Sequence, residues 1–164
     1  MDKANEIRRE KGFVDVVNLA RDFDVEVVSV SRPFENYNAQ ITYDKGTKKY
    51  VMHVNEAHSV ERQRFSIAHE LGHLALHNKQ LAQLGKLERS GASETEREAD
   101  EFAAQLLMPE QGVRDYLTTV GIDPKCTIDV SVVKRLANQF RVSKQVAIIR
   151  LRELGFYVPF IQFA

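Results

Sequence analysis

Hydrophobic positions change their period along this chain, and each change marks a different kind of element. Near the start, Ile7, Val14, Val16, Val17, Leu19, Ala20 and Phe23 form an interrupted helical stripe, with Gly12 marking a stop between two short helices. The period then becomes two. Val25 to Val30, Ala39 to Tyr43 and Lys49 to Val54 read as strands, the last two joined across Asp44-Lys45-Gly46 as a hairpin, so a small, partly antiparallel three-stranded sheet is expected. From Val60 to His77 there is neither proline nor a turn cluster. Phe65, Ala68, Leu71, Leu74, Ala75 and Leu76 leave little of that helix polar, which predicts a central, largely buried position. Lys79 to Ser93 reads as a surface loop. The next helix runs from Glu94 to Leu107 and ends at Met108-Pro109, because proline disfavours helical geometry in the residue before it. Shorter helices are expected around Glu110 to Leu117, Val130 to Phe140 and Lys144 to Leu154. The fold class is therefore α+β: a small sheet packed on a central helix, followed by a mainly helical second half.

The 164 residues suffice for one compact domain with a helical appendage, drawn here as residues 1–125 and 126–164. A 43% hydrophobic and 28% charged composition excludes the disordered class. The 23 basic and 23 acidic side chains cancel, so no overall field draws the chain to nucleic acid or an anionic membrane. A charged start and the lack of a membrane-length apolar run point to a cytoplasmic protein without membrane attachment. Cys126 stands alone, so an internal disulfide and a thiolate metal site are both excluded, and any metal ligands must come from His, Asp or Glu.

The chemistry concentrates in His69-Glu70-Leu71-Gly72-His73. On a helix, imidazoles four residues apart project from one face and reach a single ion. Zinc favours imidazole nitrogen and carboxylate oxygen and, in catalytic sites, leaves one position open. Glu70 is then the general base. The bland alternative is that these are ordinary polar residues of a helix. Against it, burying them uncompensated in an apolar stretch costs on the order of a few kcal/mol each. Gly72 adds about 1 kcal/mol relative to alanine, which suggests close packing or ligand access.

A third ligand is needed. His77 continues the spacing, but three histidines along a straight helix span about 12 Å at 1.5 Å per residue, too far for one ion, so His77 is read as a helix-end residue. His53 and His58 flank the sheet-to-helix connection and are weaker candidates. On the following helix Ala99, Phe102, Ala103 and Leu106 form the apolar stripe. Glu96 and Asp100 lie on or beside it, whereas Glu94, Glu98, Glu101 and Gln105 take the solvated face. Phase thus selects Glu96 as ligand, leaves Glu98 without bearing on the metal, and places Asp100 to accept the free N–H of a ligating histidine. The rival role for Glu96 is a capping box with Ser93. Thr95-x-x-Glu98 offers a second such box that could take over that role.

Arg64-Phe65-Ser66-Ile67-Ala68-His69-Glu70-Leu71-Gly72-His73 and Glu96-Arg97-Glu98-Ala99-Asp100-Glu101-Phe102-Ala103-Ala104-Gln105-Leu106-Leu107-Met108-Pro109 together resemble the ImmA/IrrE family of metallopeptidases. The likeness covers roughly Val25 to Pro109. The later pattern of Leu136-Ala137, Phe140, Val142-Ser143 and Arg150-Leu151 to Leu154-Gly155 is similar to that family's C-terminal helices. The resemblance implies a zincin-like fold and a gluzincin-like site, with His69, His73 and Glu96 as zinc ligands and Glu70 as the catalytic acid. It also implies a substrate class: helix-turn-helix repressors of phages, mobile elements or stress-response systems. Asp100 departs from the asparagine of many members, though either side chain accepts a hydrogen bond. The family's transition-state stabiliser is not evident; Tyr43, Tyr50 and Tyr116 are candidates.

A competing function comes from Asp129 to Gly155, where Lys134, Arg135, Arg141, Lys144, Arg150 and Arg152 outnumber Asp129 and Glu153. A helix-turn-helix would cap its second helix with Ser143 and turn Lys144, Gln145 and Arg150 to a groove. The alternatives are helices that pack on the core or dock a substrate protein. The rival reading is thus a DNA-binding or antirepressor protein that sequesters a regulator without cleavage; hydrolysis of another substrate by the same chemistry is a third. The apolar run Gly155 to Ala164 either covers the core or meets a partner.

Overall fold

The computed structural model describes residues 13–31, 38–85, 93–123 and 126–159. Ile7, Gly12 and the end of the closing apolar run, 160–164, lie outside the described residues. Helix α1 (Val16–Asp22) starts at Asp15, whose side chain accepts the Asn18 N–H, and leads into strand β1 (Val25–Val30). Strands β2 (Ala39–Asp44) and β3 (Lys49–Asn55) form the expected antiparallel hairpin, with Ile41 opposite Met52 and Tyr43 opposite Tyr50. Asp44 Oδ1 closes the turn by accepting the Gly46 N–H at 2.8 Å. β1 pairs parallel to β3, giving the order β1-β3-β2, with β2 at one edge. Alternation sends Ala39, Ile41, Met52 and Val54 into the core.

Helix α2 (Val60–Leu84) packs between the sheet and helix α3 (Glu94–Leu107), and every residue from Ser66 to His73 is buried. Two expectations are corrected here. After a break at His77, helical residues resume and run to Leu84, so Lys79 to Leu84 are helical rather than loop. Fully buried Leu81 anchors the extension, and Gly85 ends it in a left-handed conformation (φ 81°). The expected central burial holds from Ser66 to His73, but beyond it the helix emerges, and Ala75 and Leu76, counted on for the apolar face, are exposed. His77 itself departs from helical geometry (φ −123°, ψ 21°) and kinks the helix.

The Ser93 hydroxyl caps α3, which stops at Met108 before Pro109. Helices α4 (Glu110–Thr119), α5 (Val130–Phe140) and α6 (Lys144–Glu153) follow, α5 capped by Asp129 and α6 by Ser143. One cluster of buried hydrophobic residues takes in Val14, Met52, Leu107, Leu136 and Leu151. Two buried arginines tie distant segments together. Arg64 Nε donates to the Arg141 carbonyl at 3.0 Å, and Arg150 Nε donates to the Met108 carbonyl at 2.9 Å. The Arg64 and Arg141 guanidiniums lie 5.1 and 3.9 Å from the Phe13 ring centroid. Arg150, expected to face a groove, is instead buried and paired with Glu153, because its charge finds carbonyl and carboxylate partners within the fold. Arg152 likewise donates to the Val158 carbonyl at 3.0 Å. Of the six basic residues counted in this segment, Arg150 alone is buried; Arg152 stays exposed while making its bond. In the described part of the closing run, Phe156 and Val158 are buried and Tyr157 is exposed. Among the described residues, no helix is long and apolar enough to cross a membrane.

Candidate metal centre

The centre is built by close approach of two helices. A Cβ at Gly72 would lie 3.1 Å from both Cα and O of Ala99 and 3.2 Å from Cβ of Phe102, so only glycine lets α3 come this near α2. Glu96, one turn before Ala99, is thereby brought over the histidines. His69 Nε2 lies 3.0 Å from His73 Nε2 and 3.3 Å from Glu96 Oε2, and His73 Nε2 lies 3.2 Å from Glu96 Oε1. Donors about 2.05 Å from one ion in a tetrahedral site are about 3.3 Å apart, so this His-His-Glu set has the spacing a metal requires. Burial, helped by neighbouring His69, pushes His73 down to about 4, which keeps it the neutral imidazole a metal binds.

Behind His69, Nδ1 donates to Asp100 Oδ1 at 2.8 Å, although Asp100 itself is 61% exposed. The bond leaves the Nε2 lone pair turned toward Glu96 and His73. Glu70 is 2% exposed, and its Oε2 accepts the Ile41 N–H of edge strand β2 at 3.0 Å. His69, Glu70 and Glu96 meet at a cavity of about 220 Å³ that Asn38, Phe65 and Asp100 also line. Phe65 and Asp100 also line a larger groove of about 540 Å³ between α3 and α6, with Arg97, Ala104, Ile149 and Arg150.

The five expected residues are thus together. The cap of α3, however, stays at Ser93 and does not pass to Thr95: its hydroxyl accepts the Glu96 N–H at 3.3 Å. The Glu96 N–H meets this cap, while its carboxylate reaches the histidines. His77 sits where the first helical segment of α2 ends, as expected. The expectation for Glu98 is revised: His77 Nε2 lies 2.9 Å from Glu98 Oε2, so Glu98 has a partner rather than a purely solvated role. His77's spacing was visible in the sequence; the kink that turns its ring was not. The role of Ile41 rests on a backbone N–H, which no side-chain pattern reveals. His53 lies in β3 and His58 before α2, outside the His-His-Glu set. The Tyr43 and Tyr50 rings lie 4.9 Å apart in a tilted arrangement, Tyr116 meets Phe140 edge-on at 6.5 Å, and none of the three is among the described residues lining the centre's cavity.

A family model described as the IrrE N-terminal-like domain matches residues 20–152. Metallopeptidase ImmA of Bacillus subtilis (strain 168) is 27% identical over 119 residues, covering 72% of this chain and 64% of that protein. The chain therefore spans less than two thirds of that relative. A solved structure of a Mycobacterium tuberculosis transcriptional regulator superposes with a TM-score of 0.57 at 19% identity, covering 90% of this chain and 44% of the other, a likeness of fold.

Proposed function

Starting from the IrrE N-terminal-like family, to which this chain belongs, we propose that the protein is a cytoplasmic zinc endopeptidase that cuts a regulatory protein of the helix-turn-helix repressor class. The observation that carries this reading is the convergence of His69, His73 and Glu96 at tetrahedral spacing, with buried Glu70 beside them. Zinc held there supplies the Lewis acidity that peptide hydrolysis needs. Glu70 takes the proton of the attacking water and returns it to the leaving amine as the C–N bond breaks. The Ile41 N–H holds the Glu70 carboxylate in place beside the centre. Asp100 fixes the His69 ring, and the groove past Phe65 and Asp100 gives an extended segment a path to the centre. In this reading residues 1–125 carry the chemistry and 126–164 form a helical extension packed on it.

The test is metal analysis together with incubation of the protein with helix-turn-helix repressors from the same genome. The unaltered protein should hold one zinc and produce two fragments. Glu70→Gln should keep the zinc and lose cleavage by orders of magnitude. A Glu70→Gln protein that inactivates the regulator as well as the unaltered one would replace this reading with sequestration.

A further inference from the structure

We propose that His77 and Glu98 hold the His73 imidazole for metal binding as Asp100 holds His69, so that each ligand ring is backed by a carboxylate. This rests on the reading of the centre given above. His73 Nδ1 lies 3.4 Å from His77 Nδ1, and His77 Nε2 lies 2.9 Å from Glu98 Oε2. A neutral imidazole carries one N–H and one lone pair. If His73 presents its Nε2 lone pair to the metal, its proton is on Nδ1 and is donated to His77 Nδ1; the His77 proton is then on Nε2 and is donated to Glu98. The opposite arrangement puts a proton on His73 Nε2 and turns the His77 Nε2 lone pair against the Glu98 carboxylate, acceptor against acceptor. Glu98 therefore selects the tautomer that frees His73 Nε2, two rings away.

The backbone is shaped for this contact. The break in α2 falls at His77, the residue whose ring makes both contacts. Its side chain is only 9% exposed, although Ala75, Leu76, Asn78 and Lys79 around it face solvent. The 3.4 Å contact is weaker than the 2.8 Å bond of His69 to Asp100, so the arrangement orients His73 and sets its tautomer. His77 and Glu98 are positioning residues, acting through His73.

The experiment compares the unaltered protein with His77→Phe, which keeps a ring and removes both nitrogens, and with Glu98→Gln. Zinc affinity is read by chelator competition, the ligand field by the visible spectrum of the cobalt(II)-loaded protein, and stability by melting of the metal-free protein. His77→Phe should weaken zinc about tenfold, in the range typical of groups that support a ligand, and shift the cobalt bands. Glu98→Gln should weaken zinc a few-fold, and the double variant no more than His77→Phe alone. Unchanged affinity and spectrum, with or without a lower melting temperature, would mean that the pair merely ties α2 to α3, and would overturn the proposal while the zinc centre stands. An unaltered protein that holds no zinc would overturn the centre itself.

Discussion

Replacing Gly72 by alanine tests whether the approach of α2 and α3 sets the position of Glu96. The new Cβ would sit 3.1 Å from Ala99 Cα and O, where carbon atoms ordinarily rest about 3.5–4.0 Å apart. The obstacle is backbone, which cannot rotate aside, so α3 must withdraw by several tenths of an ångström. Alanine gains about 1 kcal/mol of helix propensity, and crowding of this kind costs about 1–3 kcal/mol. A net loss of about 1 kcal/mol is expected, or about 2–4 °C in Tm for a chain of this size. The effect on metal should be larger. Glu96 rides on the same helix, and its displacement exceeds the roughly 0.2 Å tolerance of a metal–ligand bond. Zinc affinity should fall about tenfold or more, read by chelator competition beside melting of the metal-free protein. A Gly72→Ala protein that melts no lower and binds zinc within twofold of the unaltered one would refute the reasoning.

The two roles of the α3 start separate by substitution. Glu96→Ala should abolish stoichiometric zinc at near-unchanged helix content, whereas Ser93→Ala should cost about 1 kcal/mol of stability and keep the metal, as metal analysis and melting would show. Asp100→Ala should weaken zinc roughly 10- to 100-fold, while Asp100→Asn, which still accepts from His69 Nδ1, should stay within a few-fold; equal losses would count against the accepting role. In metal-free protein, His73 protonates near 4 when folded and near 6.5 when unfolded, so the unfolded chain binds the extra proton between those values. Stability should therefore be full above about pH 6.5 and fall toward pH 4, by about 3 kcal/mol at most. Urea midpoints across that range should show a shallower fall in His73→Gln, and identical slopes would contradict the assignment.

The elements with strong periodicity were legible from the sequence: the hairpin, the buried turn around His69 and the span of α3 all follow from hydrophobic spacing and from Pro109. Glu96 was legible for the same reason, since its phase against Ala99 and Phe102 is a helical count. What escaped is what local pattern does not encode. The extension to Leu84 depends on Leu81 finding a buried site, a tertiary event that overrides a polar-looking stretch. Glu98 is exposed by phase and still reaches His77, because a kink rather than a regular helix presents that ring. Arg150 read as a surface cation because its acceptor, the Met108 carbonyl, lies 42 residues away.

That last bond and the one from Arg64 to Arg141, 77 residues apart, also bear on the order in which the molecule forms. Both close long loops, whose entropy must be lost before the contact returns anything, so they belong to the late stages of folding. Arg64 lies shortly before His69 on α2, and Met108 ends α3, so each helix that supplies ligands is locked by a segment made well after it. During synthesis His69, His73 and Glu96 emerge first, yet their final geometry waits for residues 141–150 to arrive and dock.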